Sequence, residues 1–289
     1  MQIIEMYHNL EQSADLRGHQ IVRGGSCEHL DQSIIVEHLM DVYINEILVM
    51  KLVCTPQNLA DLVLGRMLSE GMIQDVSEVE CIYICEYGRR AKVMLSRQQE
   101  IPHDTSYVET SLTCCTGNRL LSDYFVAYQD AQSLKPIPWK TEWVWTMLER
   151  FKKDTPLHQQ TGSTHSSFLM LDGKIMFQCE DIGRHNALDK AIGYALRNGI
   201  DLGQCAVYTT GRMPTDMVIK VIRAGIPVLI SKEAPTQEAV ELAARYQLTL
   251  IGCAKNDQML LYAGRFAQDM DLFKAATHEL QGGGHREGI

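Results

Sequence analysis

The stretch from Cys205 to Tyr262 repeats one unit: a short apolar run, a turn rich in polar residues, then an amphipathic run. Cys205-Ala206-Val207-Tyr208-Thr209 reads as a strand and Thr210-Gly211-Arg212-Met213-Pro214 as its turn. The helix that follows puts Met217, Val218, Val221 and Ile222 on one face. Pro227-Val228-Leu229-Ile230 is the next strand, Ser231 to Thr236 its turn, and a helix through Ala239, Val240, Leu242, Ala243 and Tyr246 follows. Leu248-Thr249-Leu250-Ile251-Gly252-Cys253 is a third strand and Met259-Leu260-Leu261-Tyr262 a last one. This βαβαβ rhythm predicts a mainly parallel sheet covered by helices. Ligands of such sheets collect beyond the carboxyl ends of the strands.

Just upstream, Ser167 to Leu171 and Lys174 to Cys179 read as two strands around an Asp172-Gly173 hairpin turn. The polar run Glu180-Asp181-Ile182-Gly183-Arg184-His185-Asn186 then leads into a helix whose apolar face is Ala187, Leu188, Ala191, Ile192, Ala195 and Leu196. Gly183 allows a tight turn or a close approach. Arg184 and His185 fall near the helix start, where free N–H groups and the helix dipole attract anions. Two readings stay open: an anion site, or a salt-bridged helix start in which Asp181 caps the helix and pairs with Arg184. The turns at 183–185, 210–212, 231–232 and 253–256 are expected on one sheet edge, offering Arg184, His185, Arg212, Lys232 and Lys255 to an anionic ligand.

The 289 residues suit one large or two ordinary domains. A net charge of −9, from 27 basic and 36 acidic residues, argues against a protein that binds nucleic acid mainly by neutralising phosphates. No apolar run spans a bilayer, and the start Met1-Gln2-Ile3-Ile4-Glu5-Met6 lacks the basic and apolar parts of a signal peptide. A cytoplasmic protein that uses neither membrane nor nucleic acid is expected. Residues 1–28 read as a loosely ordered extension. Residues 29–135 read as an α+β domain, 136–265 as an α/β domain after the Lys135-Pro136-Ile137-Pro138 linker, and 266–289 as a tail. Strands are expected at Ser33 to Glu37, Asp41 to Asn45, Ile47 to Val53, Val79 to Glu86 and Ala91 to Ser96. Thr55-Pro56 opens a helix that Gly71 ends. A further helix runs from Glu142 to Phe151.

The nine cysteines are odd in number and scattered, so a disulfide framework is not expected. Cys81 and Cys85 lie in one extended run, about 13 Å apart. Zinc–sulfur bonds are roughly 2.3 Å, so the pair reads as structural and no metal is expected. Thr113-Cys114-Cys115-Thr116-Gly117 places two adjacent thiols among small and hydroxylated residues, a loop able to present a thiol if its pKa is lowered. The His-x-Glu and Pro-Cys-x-x-Cys pattern of zinc nucleobase deaminases is absent, His165 being followed by Ser166-Ser167. Neither G-x-G-x-x-G nor a P-loop occurs.

The run Glu180 to Lys190 resembles the signature of the FdhD family, the formate dehydrogenase accessory proteins that act as sulfur carriers. Thr210-Gly211-Arg212 with Met217-Val218 and Lys220 is similar to that family too, as are Ala224 to Ser231, Ala234-Pro235-Thr236, Asn45, Thr55-Pro56, Gly65, Glu70 and Gly71. The resemblance implies a cytidine-deaminase-like three-layer α/β domain behind a smaller α+β N-terminal part, and a homodimer. It implies a sulfurtransferase-type carrier. A cysteine desulfurase loads sulfur as a persulfide on Cys114 or Cys115. The sulfur passes to the molybdenum bis(guanine dinucleotide) cofactor, which is then delivered to formate dehydrogenase. Cofactor contacts carried over from the family fall on Cys253, Ala254, Lys255, Asn256, Asp257 and Gln258. The edge residues Gly183, Arg184, His185, Thr210, Gly211, Arg212, Ser231 and Lys232 are the other candidates. The family's loop is Cys-x-x-Cys followed by Gly, whereas this chain has Cys114-Cys115-Thr116-Gly117. A cofactor-binding chaperone without sulfur chemistry is therefore the alternative.

Overall fold

The computed structural model describes residues 1–96, 110–111 and 132–268. Its first sheet runs β1 (Gln2–Glu5), β6 (Val79–Ile84), β7 (Arg90–Leu95), β4 (His38–Ile44), β5 (Ile47–Cys54) and β8 (Thr110–Ser111) in spatial order. Asn45 and Glu46, both with positive φ, close the β4–β5 hairpin. Helix α1 (Leu59–Ser69) packs on this sheet. It begins at Leu59, not at Thr55. Its N-cap is Asn58, in the left-handed region with φ 52° and without a side-chain cap. The Leu59 amide instead donates to the Tyr7 hydroxyl at 3.3 Å. Thr55 is drawn off by a distant turn: its amide donates to Asp181 Oδ2 at 3.0 Å and its hydroxyl accepts from the Ile182 amide at 3.1 Å.

Residues 1–28 are not the loosely ordered extension expected. β1 pairs in parallel with β6, and β2 (Ser13–Ile21) pairs along its whole length with β3 (Cys27–Ile35). The hairpin is largely exposed, Leu16 at 55 % and Leu30 at 45 %, so no alternation of buried and exposed residues marks it in the sequence.

The second sheet runs β10 (Lys174–Asp181), β9 (His165–Leu171), β11 (Cys205–Thr209), β12 (Val228–Ser231), β13 (Thr249–Lys255) and β14 (Gln258–Ala263). It is mixed rather than mainly parallel. β11, β12 and β13 are parallel to one another, while the β9–β10, β9–β11 and β13–β14 pairs are antiparallel. Both end hairpins turn in two residues, Asp172-Gly173 and Asn256-Asp257, all with positive φ, and so short a loop joins only antiparallel strands. Helices cover both faces. α2 (Thr141–Lys153) lies on one, where Trp139, Val144 and Met147 meet Phe168, Met170, Tyr208 and Ile230. α3 (Pro156–Thr161) follows α2. On the other face α4 (Arg184–Arg197), α5 (Thr215–Arg223) and α6 (Gln237–Arg245) pack on Leu169, Val207, Leu229 and Leu250.

One buried core runs through α1 and α4 to both sheets. The two helices cross at glycines: a Cβ on Gly65 would overlap the Asp189 carbonyl, and one on Gly193 the Asp61 carbonyl. That contact fixes the second sheet's edge against the loop at Thr55. From residue 269 on, the expected tail lies outside the described residues.

Candidate functional site: a basic edge of the second sheet

β10, β11, β12 and β13 all end on one side of the sheet, so their following turns converge as the sequence predicts. Hydrogen bonds lace the turns together. The Thr210 amide donates to the Ser166 carbonyl at 3.1 Å, and the Thr210 hydroxyl accepts from the Ser166 amide at 3.0 Å. Ser231 Oγ donates to the Gly211 carbonyl at 2.7 Å and accepts from the Glu233 amide at 2.9 Å. The Lys232 amide donates to the Thr209 carbonyl at 3.1 Å, and the Cys253 amide to the Glu233 carbonyl at 3.2 Å. Gly211 is required by space: a Cβ there would lie 2.7 Å from Cβ of Arg184. The stem of Arg184 thus rests on the neighbouring turn.

Arg184 is the first residue of α4, and its Nε is buried without a hydrogen-bond partner. A buried, unsatisfied guanidinium nitrogen is costly unless a ligand or water completes it. Arg212 is exposed, and Lys232 Nζ lies 5.0 Å from the Phe151 ring centroid. Lys255 reaches Glu233 at 3.8 Å with both side chains about two-fifths exposed, a weak pair. Arg184, Arg212, Lys232 and the Glu233-paired Lys255, with the N-termini of α4 and α5, therefore lie at one edge, an arrangement suited to an oxyanion.

Most of the polar run before α4 builds the fold. Asp181 and Lys190 are fully buried and 2.7 Å apart. Asp181 also accepts from the Gly183 amide at 2.8 Å and Asn186 Nδ2 at 2.9 Å. Its ionic partner is Lys190, not Arg184, and this leaves Arg184 free for the edge. Lys190 also donates to the carbonyls of Thr55 at 3.0 Å and Glu180 at 3.3 Å. The Asp181 charge offsets desolvation and leaves the ammonium above its ordinary pKa. Gly183 has an ordinary φ of −106°, so its role is close approach: a Cβ would lie 3.0 Å from Asn186 Nδ2. Glu180 accepts from the Leu157 and His158 amides at 3.0 and 2.7 Å and so caps α3.

Two ladders join α4 to α5. His185 Nε2 lies 3.0 Å from Asp216 Oδ2, and one turn on, Lys220 Nζ lies 3.0 Å from both oxygens of Asp189. Lys220 also bonds Ser69 Oγ at 2.7 Å and Glu70 Oε1 at 3.0 Å. Glu70, although desolvated, is lowered to about 2 by Lys220 and Arg66. Burial holds His185 below the ordinary imidazole range, and the His185 contact holds Asp216 below the ordinary carboxylate range against its own burial. His165, at the start of β9, is likewise lowered by burial and by Arg184.

The late segment contributes unevenly. Cys253 sits at the edge with φ 52°, its sulfur 3.4 Å from the Tyr262 hydroxyl. Ala254 is fully buried in the core, where its side chain is closed to a ligand. Asn256, Asp257 and Gln258 are exposed at the β13–β14 turn. Cys114 and Cys115 lie outside the described residues. Of the described thiols, Cys54, Cys179 and Cys205 are buried and Cys27 is exposed. Burial raises the pKa of Cys54 and pushes Cys179 and Cys205 up to about 12, which makes them inert. Among the described residues no group of three or more His, Cys, Asp or Glu side chains is placed to hold a metal ion, and no helix is long and apolar enough to cross a membrane. Ser166, whose buried hydroxyl has no partner, and Asp216 are edge residues that the sequence reading missed. The only local signal was the matched spacing of His185/Asp189 and Asp216/Lys220.

The sequence model of the FdhD/NarQ family matches residues 35–268. The sulfur carrier protein FdhD of Listeria monocytogenes is 28 % identical over 257 residues, covering 86 % of this chain and 98 % of its own. The protein of the same name from Shouchella clausii is 29 % identical over 245 residues, covering 83 % and 91 %. A crystal structure described as a formate dehydrogenase accessory protein, from Desulfotalea psychrophila, superposes with a TM-score of 0.71 at 22 % identity, covering 88 % of this chain and 98 % of that one.

Proposed function

Since the chain belongs to the FdhD/NarQ family, we propose that it is a sulfur carrier serving a formate dehydrogenase. A cysteine desulfurase places sulfur as a persulfide on Cys114 or Cys115, and the sulfur passes to a molybdenum bis(guanine dinucleotide) cofactor held as cargo. The protein works in the cytoplasm as a homodimer. On this reading the second sheet and its two helix layers are the cytidine-deaminase-like part. Arg184 and Arg212 hold the cargo's phosphates, assisted by the amide-rich turns at Thr210 and Ser231. The observation that carries the cargo site is the buried, unpartnered Nε of Arg184 among converging turns. Cys253 and Lys255 stand where the family's late-strand contacts fall.

GDP, the terminal part of such a cofactor, tests the site. Titration calorimetry should show binding that Arg184→Ala weakens about ten- to a hundredfold, the worth of a hydrogen bond to a charged group. Unchanged affinity in the variant would remove Arg184 from the site. The adjacent Cys114-Cys115 pair, in place of a spaced one, favours a second reading: a chaperone that binds the cofactor and does no sulfur chemistry. Sulfur loading separates the two.

A further inference from the structure

His185 is 8 % exposed and lies between the N-terminal turns of α4 and α5, next to Arg184. Asp216, in the first turn of α5, is ionised at neutral pH and can only accept. The nitrogen facing it, Nε2, must therefore carry a proton. In the neutral ring the other nitrogen, Nδ1, is then a bare lone pair. Among the described residues Nδ1 has no hydrogen-bond partner. The groups that act most on the ring are Asp216 and Lys220 on α5 and Arg184 on its own helix, with His165 on β9 beside it, while Asp189, one turn along α4, and Glu70 are held by Lys220. Two of these are permanent cations, and together with burial they keep the empty site's imidazole neutral.

A phosphate oxygen brought to Arg184 reverses that balance. It adds negative charge beside the ring, and it repels a lone pair but accepts from an N–H. We propose that His185, positioned by Asp216, binds the ligand phosphate through a protonated Nδ1, so that one proton is taken up from solvent with each phosphate group bound at Arg184. This rests on the cargo-site reading above and adds the residue pair that tells an oxyanion from a neutral ligand. It also makes Asp216 a positioning residue, since its charge fixes the tautomer and steadies the imidazolium.

GDP titrations of the full chain, in two buffers of different ionisation enthalpy, count the protons. At pH values above the ordinary phosphate and imidazole range, uptake should approach one proton per GDP. Over that range the free imidazole is neutral and the bound one protonated, so affinity should fall up to about tenfold per pH unit, and it should level off once the bound imidazolium titrates. His185→Gln should bind GDP with no such uptake and a flat pH profile, and Asp216→Asn should lose most of the uptake while keeping Arg184. GDP binding without proton uptake in the unaltered protein, or with equal uptake in His185→Gln, overturns this inference and leaves the cargo site standing. No GDP binding at all removes both. A count of zero in the unaltered protein overturns the inference even if a variant fails to fold, and His165→Gln, which removes the other lowered imidazole beside Arg184, should leave the count of one unchanged.

Discussion

Replacing Lys190 with Met removes the partner of a carboxylate that has no access to water. Asp181 and Lys190 are both 0 % exposed and 2.7 Å apart. Breaking a buried pair from one side costs about 3–5 kcal/mol, because the surviving charge stays desolvated. Asp181 keeps three donors, the Thr55 and Gly183 amides and Asn186 Nδ2, and these partly solvate its charge. Lys190→Met should therefore fall at the lower end, about 3 kcal/mol. Asp181→Asn leaves an ammonium with two carbonyl acceptors, those of Thr55 and Glu180, and should cost more. The double variant Asp181→Asn/Lys190→Met contains no orphan charge and should be more stable than either single one. Urea unfolding followed by circular dichroism measures all three. A cost below about 1 kcal/mol for Lys190→Met, or a double variant as unstable as the sum of the singles, would show that the two charges do not depend on each other.

Other outcomes are as specific. Gly65→Ala should destabilise by several kcal/mol, roughly 3 or more, since its Cβ meets the Asp189 carbonyl backbone and the helices must part; a melting temperature within a degree or two of the parent would contradict the crossing. Glu70 sits at about 2 when folded against an ordinary 4.5, so its stabilisation is present above pH 4.5 and is lost as pH falls toward 2. That contribution is about 3 kcal/mol, and acid titration of Glu70→Gln should lack it. Asp61, raised to about 6 by burial, acts in the opposite sense, costing stability as pH rises from about 4 through 6, and Asp61→Asn should flatten that limb. Cys81→Ser and Cys85→Ser should fold and bind GDP as the parent does, and a melting temperature that depends on added zinc would overturn their structural role.

What the sequence disclosed follows from where the information lies. The strand–turn–helix units after Cys205 are local, each an apolar run closed by Gly or Pro, and the hairpins at Asn45-Glu46 and Asp172-Gly173 are marked by their turn residues. The converging edge follows from those units and from the chain direction of the strands. Contacts between distant residues were not legible. Thr55 looked like a helix cap, but Asp181 and Ile182, more than a hundred residues later, claim its polar groups. One of the two open readings pairs Asp181 with its neighbour Arg184, whereas its partner Lys190 lies on the inner face of the following helix. Of the β2–β3 hairpin only the end at Ser33 to Ile35 was legible as strand, because elsewhere both its faces meet solvent and nothing forces its residues to alternate.

The most direct test of the account is peptide mass spectrometry after incubation with an active cysteine desulfurase and cysteine. One added sulfur atom is expected on the peptide carrying Cys114 and Cys115, removed by reductant and absent when both residues are replaced by Ser. A desulfurase that loads another acceptor but leaves this peptide unmodified would contradict the sulfur-carrier reading, leaving a cofactor-binding protein that uses only the basic edge.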